Sequence, residues 1–166
     1  MKKFRRSIIF ATFIYFIDAL VYSQGGIAFI VALVAVLGGG TKALIALLKK
    51  DKALSKERLI RAGIYIFMAV MVFVSVNLNN RLAVHRANQL IKACNSYYTK
   101  HQSYPDKLED LIPDFITEVP LAKYSLLYNN FIYISGEGRH LLVYYAIPPF
   151  GRRIYNLEQD RWSYLD

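Results

Sequence analysis

The chain has 166 residues, 21 Lys or Arg against 12 Asp or Glu, a formal charge of +9 and one cysteine, Cys94. A single thiol excludes an intrachain disulfide framework, so any folded part is held by packing. The charge does not point to nucleic acid, because residues 1–78 carry 11 basic against 3 acidic side chains whereas residues 79–166 carry 10 against 9, which leaves little to offer a phosphate backbone.

A basic opening, Lys2, Lys3, Arg5 and Arg6, precedes the apolar run 7–23. Signal peptides open the same way, but no small-residue cleavage pattern follows before the next apolar run, so 7–23 is read as a first spanning helix, closed by a tight turn at Gln24, Gly25 and Gly26. Residues 27–48 are a second span. Gly38, Gly39 and Gly40 in its second half predict a kink or a close crossing with a neighbouring helix; the alternative is that the span ends near Gly40 and 42–48 lies along the interface. Seven basic residues lie between Lys42 and Arg61, four in the opening and none in the Gln24 turn. Basic segments stay cytoplasmic, so the expected topology is N-terminus inside, turn outside, basic loop inside and C-terminal part outside. Ser55 is the expected cap of a helix beginning near Lys56.

Asp18 lies in the first apolar run, about 7 Å from its outer end by helix rise, and an acid at that depth marks a candidate intramembrane polar contact. Lys42 is about 22 Å into the second span, so the two do not pair: Lys42 snorkels to the cytoplasmic surface, and Asp18 reaches headgroups or a Ser or Tyr hydroxyl. One acid without a matched relay does not make a translocation path.

The third uncharged run, 62–78, passes at its C-terminal end without a Gly or Pro into residues 79–100, where Leu82, Ala83, Ala87, Leu90, Ile91, Cys94, Tyr97 and Tyr98 return every three or four positions. This predicts one helix that leaves the bilayer and continues as the spine of a water-soluble head, with Cys94 buried in its stripe. Pro105 ends it. A short helix is expected over 106–111, and Pro113 and Pro120 bracket an irregular turn carrying Phe115 and Ile116. Strands are predicted over 124–128, 131–135, 140–146, 153–157 and 162–165, with turns at Asn129 and Asn130, at 136–138, at 148–151 and at 158–160. Such a meander buries the stripe with one face, and Trp162 closes the core.

The order of these parts, a spanning helix continuing as an amphipathic one, then Tyr104 and Pro105 followed by Leu108 and Leu111, a proline-containing connection and an antiparallel sheet, resembles type IV pilins and type II secretion pseudopilins over residues 62–166. The resemblance implies an α+β, pilin-like head. Pilin-like proteins begin with a short basic leader, a processing Gly and a Glu early in a single hydrophobic helix. Here the corresponding helix is third, follows Arg61, contains Gly63 but no Glu, and stands behind two further spans. It implies a pilin-like head on a permanent anchor rather than a filament subunit. The expected fold is therefore three transmembrane helices, the third packed through its extension on a small antiparallel sheet, with an anchor over 1–78 and a periplasmic head over 79–166 at a bacterial inner membrane.

No metal-ligand spacing, phosphate loop or catalytic motif is present, and no cofactor is expected. His85 and His101, sixteen residues apart on one helix, are about 24 Å apart. Asp106, Glu109, Asp110 and Asp114 read as helix-terminal charge on a solvated face. The head holds 10 of the 13 tyrosines, and strand alternation turns some of them away from the helix, as suits a surface another protein covers. Tyr128, Tyr133 and Tyr144, with Arg139, Arg152 and Arg153, are the candidate partner-binding residues. The expected function is a non-enzymatic membrane protein whose head binds another envelope or secreted protein as an accessory component of a pilus or secretion apparatus. An immunity protein against a periplasm-acting toxin is one alternative. The other is a membrane-anchored enzyme with an unrecognised site, which a cleft joining Asp106, Asp110 and an arginine would favour.

Overall fold

The computed structural model describes residues 2–136 and 138–165, and the chain divides into two compact units, Met1–Asn77 and Leu78–Asp166. In the first, a 3-10 turn (Lys2–Phe4) leads into α1 (Arg5–Tyr15), which continues as a π-helical stretch (Phe16–Tyr22). Ser23 and Gly25, both in the left-handed region, then reverse the chain into α2 (Gly26–Leu48). At 1.5 Å per residue the 23 residues of α2 reach about 35 Å, against a hydrocarbon thickness of about 30 Å. Helix α3 (Lys52–His101) follows as one 50-residue helix shared by the two units.

Helices α2 and α3 are long and apolar enough to cross a membrane. The first apolar run, divided between α1 and the wider π turns, does not meet that measure, so among the described residues two candidate spans stand where three were expected. Only 11% of the apolar window of α2 and 28% of that of α3 is buried, whereas a core helix of a water-soluble domain is mostly covered. What is buried is mostly small: Ala11, Ile14, Ala19, Ala28, Met68, Ala69, Val72 and Val76 form the contact between the helices, and small side chains let helices approach closely. Helix α2 runs unbroken through its glycines, and a Cβ on Gly39 would stand 3.7 Å from that of Ala62, so the close crossing is at Gly39. Helix α3 starts a turn earlier than expected: Asp51 Oδ1 accepts the Leu54 N–H at 2.9 Å, and it, not Ser55, supplies the cap. Glu57 accepts from Lys3 at 2.5 Å and from Arg61 at 2.7 Å; the Lys3 hydrogen bond, before the Arg61 one, holds its carboxyl below the usual range.

In the second unit, Ala83, Ala87, Leu90, Ile91 and Cys94 of α3 pack on Leu108, Leu111, Phe131, Leu142, Tyr144 and Tyr155. The sheet is a four-stranded antiparallel meander in the order β1 (Ile132–Gly136), β2 (Arg139–Ile147), β3 (Gly151–Asn156), β4 (Arg161–Leu165). Trp162, half-buried, meets Tyr144 edge-on at 5.9 Å and Tyr155 at 5.1 Å, closing the core at β4. The expected helix over 106–111 is a 3-10 turn, Leu108–Leu111, with Asp110 accepting the Lys107 N–H. Of the expected turn over 136–138, Glu137 lies outside the described residues.

The expected strand over 124–128 is not formed. Its first residue, Tyr124, exchanges two hydrogen bonds with the Asn79 side chain, and the residues on either side of the segment close on each other, the Ala122 and Lys123 N–H groups both donating to Asn129 O. The segment is a closed loop rooted on α3. It is also rooted on the sheet, because β2 bulges between Tyr145 and Ile147 and the carbonyl of Ala146 takes its hydrogen from Lys123 Nζ at 2.9 Å. Lys123 is wholly buried, and burial draws its ammonium down to about 8.

Cys94 is 1% exposed, and burial pushes its thiol up to about 12. At pH 8 it is neutral and inaccessible. The folded chain is therefore expected to take up no maleimide in the time that the denatured chain takes up one equivalent, as read by mass spectrometry. Rapid labelling without denaturant would contradict the packing of α3 on the sheet.

Candidate functional site

The register decides which side of the sheet each candidate residue serves. Tyr133, Leu142, Tyr155 and Trp162 stand in one cross-strand row, and Tyr144, Arg153 and Tyr164 in the next but one. These rows are on the side that α3 covers. By alternation Ile132, Val143 and Ile154 form a row on the opposite face, flanked by Ile134 and Leu141 and by Tyr145, Arg152 and Leu165.

The six candidate partner-binding residues are therefore divided. Tyr144 is corrected outright: it is 1% exposed, set against Phe131 and Trp162, and offers no ring to a partner. Tyr133 packs against the same core, and burial before any charge effect raises its hydroxyl above the usual range. Arg153 lies on the helix side, its guanidinium 5.6 Å from the Trp162 ring. Arg139 and Arg152 belong to the outer face, with Arg152 5.4 Å from the Tyr145 ring, and Tyr128 meets Tyr145 edge-on at 4.8 Å. Arg161, paired with Asn156 in that register, is a third arginine of the outer face that sequence reasoning missed.

This outer face has an apolar centre. Val143 is covered by its neighbours, while Ile132, Ile134 and Leu165 are each at least 40% exposed. Around them stand Arg139, Arg152 and Arg161. A water-facing β-face normally carries polar side chains; here Ile132, Ile134 and Leu165 are exposed among arginines, a mixture that suits an interaction surface.

A second concavity lies at the other side of the head. Tyr97, Tyr98, Ser103, Tyr104, Asp106, His140 and Glu158 line a cleft of about 590 Å³. Glu158 accepts from the His140 backbone N–H at 3.1 Å and pairs with its ring Nδ1 at 2.6 Å. Partial burial pushes the Glu158 carboxyl up, but the hydrogen bonds from His140 outweigh it and hold it below the usual range. With the carboxylate ionised, Nδ1 carries the hydrogen and Nε2 is the basic atom. The Tyr104 hydroxyl donates to Leu157 O at 3.1 Å, and its ring lies 5.2 Å from that of His140. Among the described residues, no hydrogen bond joins Ser103 to His140 and no arginine lines the cleft; Asp110 is engaged at Lys107 rather than beside Asp106. The cleft orients an imidazole without assembling a nucleophile and base in contact.

Asp18 is fully buried and makes its polar contacts with backbone amides rather than with the expected headgroups or hydroxyl: Oδ1 accepts the Gly25 N–H at 3.2 Å and Oδ2 the Ala28 N–H at 2.6 Å. The π-helical widening turns this side chain toward the start of α2, where it satisfies amides that an apolar setting would leave unpaired. A hydroxyl pair in this unit joins Tyr15 and Ser75 at 3.0 Å; because Ser75 donates to Met71 O, Tyr15 is the donor to Ser75.

The helix-packed antiparallel sheet is consistent with a pilin-like architecture. In comparison with known proteins, no family model, curated protein or solved structure matches the chain significantly.

Proposed function

We propose that this chain is a non-enzymatic protein of a bacterial inner membrane, anchored by three spans with its N-terminus cytoplasmic, whose periplasmic head binds an acidic region of another envelope or secreted protein. The observation that carries this reading is the outer face of the sheet, where Ile132, Ile134 and Leu165 stand exposed beside Arg139, Arg152 and Arg161. Apolar contact supplies the affinity, and the arginines select acidic partners and speed encounter. The exposed apolar surfaces of α2 and α3 support the anchor, and the basic residues from Lys42 to Arg61 support its orientation. The pilin-like arrangement of helix and sheet favours an accessory role in a pilus or secretion apparatus.

The test is photo-crosslinking in intact cells from Ile134 or Leu165. Each is expected to give the same discrete adduct, and Arg139→Glu with Arg152→Glu is expected to lower its yield by about tenfold, a change of about 1.4 kcal/mol. A crosslinker at Asn95, exposed on α3, gives none. Identical adducts from Asn95, or insensitivity to the charge reversal, would refute the assignment. A C-terminal reporter active only in the cytoplasm would refute the orientation.

A further inference from the structure

We infer that the loop 122–129 is a lipid-contacting element, which seats the Leu126 and Leu127 side chains in the outer interface of the bilayer that α3 crosses. This rests on the reading of α3 as a spanning helix. The loop is closed on itself by the Ala122 and Lys123 N–H groups donating to Asn129 O, so its eight residues form a compact projection with joined ends. It has three further anchors. Lys123 Nζ holds it to the β2 bulge, Asn79 pairs with both backbone groups of Tyr124 at 3.1 and 3.2 Å, and Arg86 donates to Leu121 O at 2.8 Å and to the Tyr124 hydroxyl at 2.6 Å.

What these anchors leave outside is apolar. Leu126 is 66% exposed, Leu127 44% and Leu121 44%, and Tyr124 and Tyr128 flank the leucine pair. A loop that served water alone would be polar at its tip. The order Tyr, Ser, Leu, Leu, Tyr is instead that of an interfacial anchor, with aliphatic side chains for the acyl boundary and amphipathic rings at headgroup level. The position names the occupant. Asn79 is the residue directly after Leu78, where the uncharged run 62–78 ends, so the loop is tied to the helix where α3 leaves hydrocarbon. Arg81, exposed one turn further along, is placed for a lipid phosphate.

The experiment uses the full chain in vesicles of phosphatidylethanolamine and phosphatidylglycerol, with a nitroxide on Leu126→Cys, and separately on Leu127→Cys, Phe67→Cys and Gln159→Cys. Cys94 is too buried to take the label. Leu126 and Leu127 are surface side chains, so their replacement leaves the core intact. Collisions with oxygen are expected to exceed collisions with a water-soluble nickel chelate at Leu126 and Leu127, as at Phe67 in the span, and the order is expected to reverse at Gln159. Nickel access at Leu126 and Leu127 equal to that at Gln159, beside a shielded Phe67, overturns the inference and leaves the spanning helix standing. Nickel access at Phe67 as well overturns both.

Discussion

Replacing Lys123 by methionine is expected to leave the head as stable as the parent, or more so, at pH 7, and less stable near pH 10.5. The folded state lowers this ammonium from 10.5 to about 8, so below pH 8 it carries a charge that burial penalises, by roughly 3 kcal/mol on the linkage relation. Between the folded and unfolded values the unfolded chain binds more protons, and that penalty fades as pH rises. Methionine removes the penalty at every pH but leaves the Ala146 carbonyl without its donor, a loss of about 1–3 kcal/mol. The two nearly cancel at pH 7, and only the loss remains at high pH. Buried tyrosines complicate the parent curve in the opposite direction: burial, and then the hydrogen bond to Asp160, raises Tyr155 to about 12, so its contribution is lost as pH climbs from 10 toward that value. Because this term is common to both proteins, the quantity to measure is the difference in unfolding free energy between variant and parent, followed by Trp162 fluorescence in detergent. A difference that does not change between pH 8 and 10 would show that Lys123 is not held as a buried base.

Replacing Asp18 by leucine is expected to destabilise the α1–α2 hairpin by about 2–6 kcal/mol, since the Gly25 and Ala28 amides both lose their acceptor and each orphaned buried amide costs about 1–3 kcal/mol. Asp18→Asn keeps one acceptor oxygen and is expected to fall between leucine and the parent. Unfolding in increasing fractions of denaturing detergent, read by protection of the Gln24 turn from protease, measures the order. Equal behaviour of Leu and Asn would mean that the carboxylate is not the cap of α2.

Periodicity made the spine legible. Ala83, Ala87, Leu90 and Cys94 recur at helical spacing and are the residues that the sheet covers, and four of the five expected strands form because their alternation is undisturbed by competing partners. The fifth failed for a reason that alternation cannot carry: Asn79, 45 positions earlier, captures the backbone of Tyr124. For the same reason the tyrosines were foreseen to divide between two faces, but their assignment needed the register, which sends Tyr144 inward and Tyr145 outward. Arg161 escaped notice because it pairs across β3 rather than sharing a turn with the other arginines. Asp18 was readable as unusual but not as a cap, because a π-helical turn leaves no residue pattern of its own. Lys123 was not readable at all; a lysine between an alanine and a tyrosine is ordinarily at the surface.

The sheet lies wholly downstream of α3 in the polypeptide, and this sets an order during synthesis. When a ribosome has completed His101, the stripe of Leu90, Ile91 and Cys94 exists without any of the strands that cover it, and β4 ends at Leu165. At about 5–20 residues per second, the nascent spine waits about 3–13 s for its cover. During that interval the apolar stripe is open to coalescence with other emerging chains.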